Sequence, residues 1–312
     1  MNKSTIRIGT RGSKLALYQA NLVKSKLGEA FPDKTFEIVI ISTKGDKILD
    51  VALSKIGDKG LFTKELEVAL FNGEVDLCVH SLKDLPTVFP EGAQLGAILK
   101  RAEFKDAWVS KDGLALEEMT EKHVVATSSL RRKAQVHRIN PKVKVVDIRG
   151  NVDTRIKKMN EGHCDAMVMA GAGLIRLGYN DVITSLFEPD YFVSACGQGA
   201  IAIEIRENDS EIDAVVKKLH CETSYQQITA ERSFLNELEG GCQIPIGAYA
   251  SIDGEELSLL GLVALPDGSK ELRNELKGKA CEAEGIGRKL AQQIAQAGGV
   301  EILNQVRNLN NQ

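Results

Sequence analysis

Six arginines stand where a strand gives way to a helix. Arg11 lies in GTRGSKLA, Arg131 and Arg132 in ATSSLRRKA, Arg149 and Arg155 in DIRGNVDTR, and Arg176 in AGLIRLG. A helix N-terminus carries partial positive charge and unpaired N–H groups, so acidic side chains belong there. Each exposed arginine costs about 0.3–1 kcal/mol at such an end unless an anion fills the site. A single arginine of this kind is ordinary surface; six point to an anion. The G-x-x-x-x-G-K-[ST] loop for phosphates is absent, and GAGLIRLG lacks the G-x-G-x-x-G spacing. Guanidinium forks pair equally well with carboxylates. The pattern therefore predicts a ligand with several carboxylate arms.

Two further residues fit this chemistry. Asp84, in VHSLKDLP, follows an apolar strand beside Lys83. Most such aspartates complete a turn. Among so many bases, however, a carboxylate at a strand end is useful if the ligand also has N–H or cationic character. Asp84 would then stabilise positive charge and move protons. Cys242, in LEGGCQIPIGAY, sits on a glycine-rich loop after a helix. The negative end of that helix disfavours a thiolate, which makes Cys242 a poor turnover nucleophile.

The elements that must position these groups are legible in the patterning. TIRIGTR, FEIVIIS and VDLCVHS read as strands. They alternate with SKLALYQANLVKSKLGEAF, where Leu15, Tyr18 and Leu22 share a face, and with LFTKELEVALFNG. This is βαβ order and predicts a mostly parallel sheet. Strands DAWVS, HVVATSS, KVKVVDIRG and DAMVMAGAG, with helices SLRRKAQVHRIN and NVDTRIKKMNEG, predict a second such lobe. GQGAIAIEIR reads as a strand returning to the first sheet. In parallel α/β sheets ligands bind at the carboxyl ends of strands, so the arginine junctions are expected to face one cleft. The last third reads ETSYQQITAERSFLNELEGG as helix, then a meander with turns at Asp253-Gly254 and Pro266–Gly268, then helix EAEGIGRKLAQQIAQAG. The expected fold class is α/β with three domains: residues 1–100 plus 198–219, residues 105–193, and a small α+β domain, 222–312, with a three-stranded antiparallel sheet. Residues 42–60 carry no clear element and read equally as a surface loop or a lid.

Bulk properties narrow the function classes. The formal charge of −3 on 312 residues argues against general nucleic-acid affinity. No apolar run approaches the ~20 residues of a membrane span. MNKSTIRIGT lacks a signal-peptide core, and the six cysteines show no C-x-x-C pair or zinc spacing. A cytoplasmic protein with reduced thiols is expected. From the residues alone, three functions stay open. They are an enzyme acting on a polycarboxylate with a nitrogen centre, a two-lobed polycarboxylate-binding protein without chemistry, and a thiol enzyme using Cys242. The third would need one of His80, His123, His137, His163 or His220, none of which sits in a cysteine-protease signature.

The strings RIGTRGSKLAL, KGDKILD, KGLFTKELEVAL, DLCVHSLKDLP, TSSLRR, DIRGNVDTR, GQGA and LEGGCQIPIG together resemble the porphobilinogen deaminase (hydroxymethylbilane synthase) family over essentially the whole chain. The resemblance implies two lobes like those of periplasmic binding proteins plus a third domain. It implies head-to-tail joining of four porphobilinogen molecules, loss of ammonia at each step, and release of the linear tetrapyrrole hydroxymethylbilane. It further implies a dipyrromethane cofactor held by a thioether at Cys242 and a catalytic Asp84. Carboxylate contacts would come from Arg11, Ser13, Lys83, Thr127, Ser128, Ser129, Arg131, Arg132, Arg149, Arg155 and Arg176, with Lys55 and Lys59 on a mobile loop. The expected partner is the small-molecule substrate, in a monomer with no nucleic acid and no membrane. Departures from the family's usual strings are Phe104-Lys105 for a Pro-Arg pair, Gly12 for a bulkier polar residue, and Cys196 for valine.

Overall fold

In the computed structural model the described residues are 3–47, 60–238 and 244–310. They form two compact units, one from residues 3–47, 60–102 and 199–225, the other from 103–198, 226–238 and 244–310. No described helix is long and apolar enough to cross a membrane.

The first unit is built on β1 (Thr5–Thr10), β2 (Thr35–Ile40), β3 (Leu77–Ser81), β4 (Ala93–Ile98) and β10 (Ile201–Arg206), in the order β2-β1-β3-β10-β4. Four strands run one way. β10 returns antiparallel between β3 and β4, with Glu204 opposite Cys78. Both faces are covered, which is why these strands read as near-continuous apolar runs. On one face Ile6, Ile8, Leu77, Val79, Ile203 and Ile205 pack under α1 (Lys14–Ala30). The other face carries Cys78 against Leu66, Ala69 and Leu70 of α2 (Lys64–Phe71). The buried stripe of α1 is Ala20, Val23 and Leu27, while Tyr18 is 41% exposed. The face expected from Leu15, Tyr18 and Leu22 is thus rotated from the one the sheet takes. β4 escapes periodicity because Gly96 interrupts it. A Cβ there would lie 2.9 Å from Cγ2 of Val216, at the end of α6 (Ser210–Val216), and 3.0 Å from Ile205, so the strand can lie here only without a side chain.

The second unit holds two sheets. One is formed by β5 (Asp106–Ser110), β6 (Val124–Ala126), β7 (Lys144–Val146), β8 (Ala166–Ala170) and β9 (Ser185–Leu186), ordered β7-β6-β8-β5-β9, with β5 alone reversed. Its faces bury Met167, Met169 and Leu174 on one side and Trp108, Val125, Val168 and Phe192 on the other. The other sheet is the antiparallel meander β11 (Ile246–Asp253), β12 (Glu256–Ala264) and β13 (Glu271–Lys279). It packs on α7 (Glu222–Glu237), α8 (Ala283–Ile294) and α9 (Val300–Asn310) through Phe234, Leu259, Leu290 and Ile302. The helix expected over 282–298 forms as α8 and the turn after it, Ala295–Gly299; beyond the break at Gly298, φ 106°, α9 is a further helix that the sequence reading did not include.

Candidate active site

Parallel strands place their following loops on one sheet edge, and this ordering gathers the predicted residues within each unit. In the first unit β1 and β3 are parallel neighbours, so Arg11, Ser13, Lys83 and Asp84 all follow adjacent carboxyl ends. Ser13 is the N-cap of α1, its Oγ accepting the Ala16 N–H at 3.2 Å. After β3 the chain makes a 3-10 turn, Leu82–Asp84. Buried Leu82 and Leu85 bracket it, and Leu82 N–H donates to Ala200 O at 3.1 Å. Gln19 holds the preceding Ser81 at 2.9 Å. Lys83 and Asp84 are half-buried on a fixed turn. No hydrogen bond or ion pair from the described residues reaches the Asp84 carboxylate. Arg11 is engaged: its guanidinium pairs with Asp46 and lies 4.1 Å from the Phe62 ring centroid. Burial would raise the Asp46 carboxyl, but Arg11 holds it below the usual range.

In the second unit β7, β6 and β8 are parallel neighbours. Thr127, Ser128, Ser129, Arg131 and Arg132 follow β6, Arg149 and Arg155 follow β7, and Arg176 follows β8. Ser129 is the N-cap of α3 (Leu130–Ile139), accepting the Arg132 N–H at 3.4 Å. Ser128 Oγ donates to Ile148 O at 2.9 Å and accepts Ile148 N–H at 3.0 Å, tying two of these loops together. Asn151 caps α4 (Val152–Asn160) by backbone geometry, without a side-chain bond. Arg155 Nε donates to Gly150 O at 2.8 Å. Arg176 ends α5 (Gly171–Arg176).

Arg131 and Arg132 differ from the sequence picture in one respect. They are 4% and 7% exposed, and the anion beside them is internal. Arg131 Nη1 donates to Asp106 Oδ2 at 2.7 Å and Arg132 Nε to Oδ1 at 2.8 Å. Arg132 also donates to Val168 O at 3.2 Å and to Gln198 Oε1 at 3.3 Å, and Gln198 Nε2 donates to Asp106 Oδ1 at 3.1 Å. Burial would raise the Asp106 carboxyl, but the charges of Arg131 and Arg132 hold it at about 2. Sequence reasoning missed Asp106, whose only signal is an acid opening a buried strand. It quoted Gln198 without giving it a role.

Two features define the charge at this edge. Two buried guanidinium charges share one carboxylate, so the cluster carries an excess of one positive charge. Arg149 Nη1 is shut off from solvent and has no hydrogen-bond partner among the described residues. Both favour an added carboxylate. Lys55, Lys59 and Cys242 lie outside the described residues. The chain on either side of Cys242 is anchored by Leu238 and Ile246, both in the core beneath the meander. Phe104, one of the departures noted above, stacks on Tyr249 with ring centroids 4.0 Å apart.

Comparisons with known proteins bear on the whole chain. Residues 6–214 match the family model described as porphobilinogen deaminase, dipyromethane cofactor binding domain, and residues 225–296 match the porphobilinogen deaminase C-terminal domain. The porphobilinogen deaminase of Pelotomaculum thermopropionicum is 47% identical over 98% of both chains. That of Desulfitobacterium hafniense is 46% identical over 97% of this chain and 98% of its own. That of Synechococcus elongatus is 48% identical over 96% and 95%. Two mixed sheets with basic carboxyl edges, a small meander domain, and matches that span nearly the whole chain lead to one assignment: the chain belongs to the porphobilinogen deaminase family.

Proposed function

We infer that this chain is the transferase that condenses four porphobilinogen molecules head to tail, with loss of ammonia, and releases hydroxymethylbilane. The observation that carries the reading is the unpartnered, buried Arg149 Nη1 after β7, with two arginines that share one carboxylate after its parallel neighbour β6. Such an edge suits a substrate bearing acetate and propionate arms. A dipyrromethane bound at Cys242 would supply the pyrrole carbon to which the first ring is joined, each later ring being joined to the one before it.

The chain's own residues then divide the work. Arg131, Arg132, Arg149 and Arg155, with Thr127, Ser128 and Ser129, hold carboxylates of the bound dipyrromethane and of the growing chain. Arg11, Ser13, Lys83 and Arg176 hold those of the incoming ring, and Lys55 and Lys59 cover it. Arg11 must exchange Asp46 for its ligand, which keeps its charge compensated until substrate arrives. Asp84 is the catalytic residue. As the aminomethyl C–N bond breaks and ammonia leaves, positive charge spreads to the pyrrole nitrogen. The Asp84 carboxylate stabilises that charge and then accepts the proton released when the new C–C bond forms. Its half-buried position on a fixed turn suits both tasks, because low solvent exposure strengthens the attraction. The reading places the protein in the cytoplasm as a monomer. Its test is a turnover assay in which purified protein and porphobilinogen are monitored for ammonia and linear tetrapyrrole. One tetrapyrrole per four ammonia molecules is expected, and ammonia-free binding would overturn the reading.

A further inference from the structure

Beneath β3, on the face away from α1, lies a cluster of side chains that the condensation does not use. Cys78 and His80 are two residues apart on β3 and share that face. Glu204 lies directly opposite Cys78 on β10. One ligand-type atom from each, the Cys78 sulfur, a His80 ring nitrogen and a Glu204 oxygen, can be chosen so that all lie within 4.8 Å of one another. All three residues are buried, Cys78 and Glu204 completely. His80 Nε2 and Glu204 Oε2 are 2.9 Å apart. The second carboxylate oxygen, Glu204 Oε1, is buried with no hydrogen-bond partner among the described residues. A carboxylate with one idle oxygen in an apolar core is unfavourable unless something else binds there.

We propose that Cys78, His80 and Glu204 form a binding site for a divalent cation of the zinc class, unconnected with the condensation chemistry. Sulfur, imidazole and carboxylate are the donor set that zinc and cobalt take in tetrahedral sites. Bond lengths of about 2.0–2.3 Å to a shared ion place such donors about 3.3–3.7 Å apart. Taking up the ion would draw the three donors, now within 4.8 Å of one another, to that spacing. Binding displaces the Cys78 thiol proton to solvent and leaves the imidazole neutral, with its proton on Nδ1. The thiol presently donates to Leu66 O at 3.5 Å, a weak bond that metal coordination replaces. The site is sealed, so the ion enters as the chain folds.

The test is expression in medium where cobalt replaces zinc, followed by purification without chelator. Elemental analysis is expected to give about one cobalt per chain, with visible absorption of tetrahedral cobalt and a thiolate-to-metal band. Cys78→Ser and His80→Asn should lose both signals, while Cys281→Ser, at an exposed thiol, should keep them. Cobalt X-ray absorption of the unmutated protein decides the matter even if the core variants fail to fold. A shell containing sulfur and imidazole is expected. Absence of cobalt, a shell without sulfur, or an unchanged signal in Cys78→Ser would overturn the proposal.

Discussion

Replacing Asp106 by Asn probes the charge arrangement on which the basic edge depends. The substitution keeps shape and one carbonyl acceptor but removes the only carboxylate among the described residues that pairs with Arg131 and Arg132. Two guanidinium groups, 4% and 7% exposed, are then left without a counter-charge. Removing one partner of a buried pair costs about 3–5 kcal/mol. An independent figure comes from the carboxyl itself, held at about 2 against an ordinary 3.8. That difference corresponds to about 2 kcal/mol of stability at neutral pH, the smaller of the two because it omits the cost left on the arginines. Each kcal/mol shifts the melting temperature by about 2–4 °C in a unit of this size, so a drop of about 6–20 °C is expected. Trp108 provides the assay. It is the chain's one tryptophan, wholly buried in β5 two residues from Asp106. Its fluorescence on heating reports the unfolding of this unit. A shift under about 2 °C would refute the view that Asp106 compensates the buried arginines.

Other outcomes follow from the same geometry. Because the Asp106 carboxyl is depressed, its contribution is complete above about pH 4 and is lost as pH falls through about 2, so Trp108 fluorescence should report acid unfolding across that window and Asp106→Asn should flatten it. Asp84→Ala should lower turnover by about 10²–10⁴ with the melting temperature unchanged, and Asp84→Glu should recover part of it; near-normal turnover in Asp84→Ala would remove its proposed role. Gly287→Ala should destabilise the protein by about 1–3 kcal/mol in thermal unfolding, because the new Cβ would lie 2.3 Å from Ala230 O and would force α8 away from α7.

The fold was largely legible because buried strands and amphipathic helices leave periodic traces. TIRIGTR, VDLCVHS and DAMVMAGAG form central strands, and the two meander turns lie where their glycines indicate. The failures have physical causes. β4 hides behind Gly96, β9 is two residues long, and α9 begins beyond a glycine break. The burial face of α1 was misjudged because Tyr18 is apolar enough to suggest a core position yet is exposed. At the site, the arginine junctions were visible from residue type and position. Their compensation by Asp46 and Asp106 was not, because those pairs join positions 35 and 25 residues apart along the chain. No local pattern encodes such a pairing.

The most direct test of the account is the intact mass of the purified, active protein. A mass exceeding that of the 312-residue chain by two linked pyrrole units, and restored to the chain's own mass in an inactive Cys242→Ala variant, is the predicted result. Full turnover by protein of unmodified mass would contradict it.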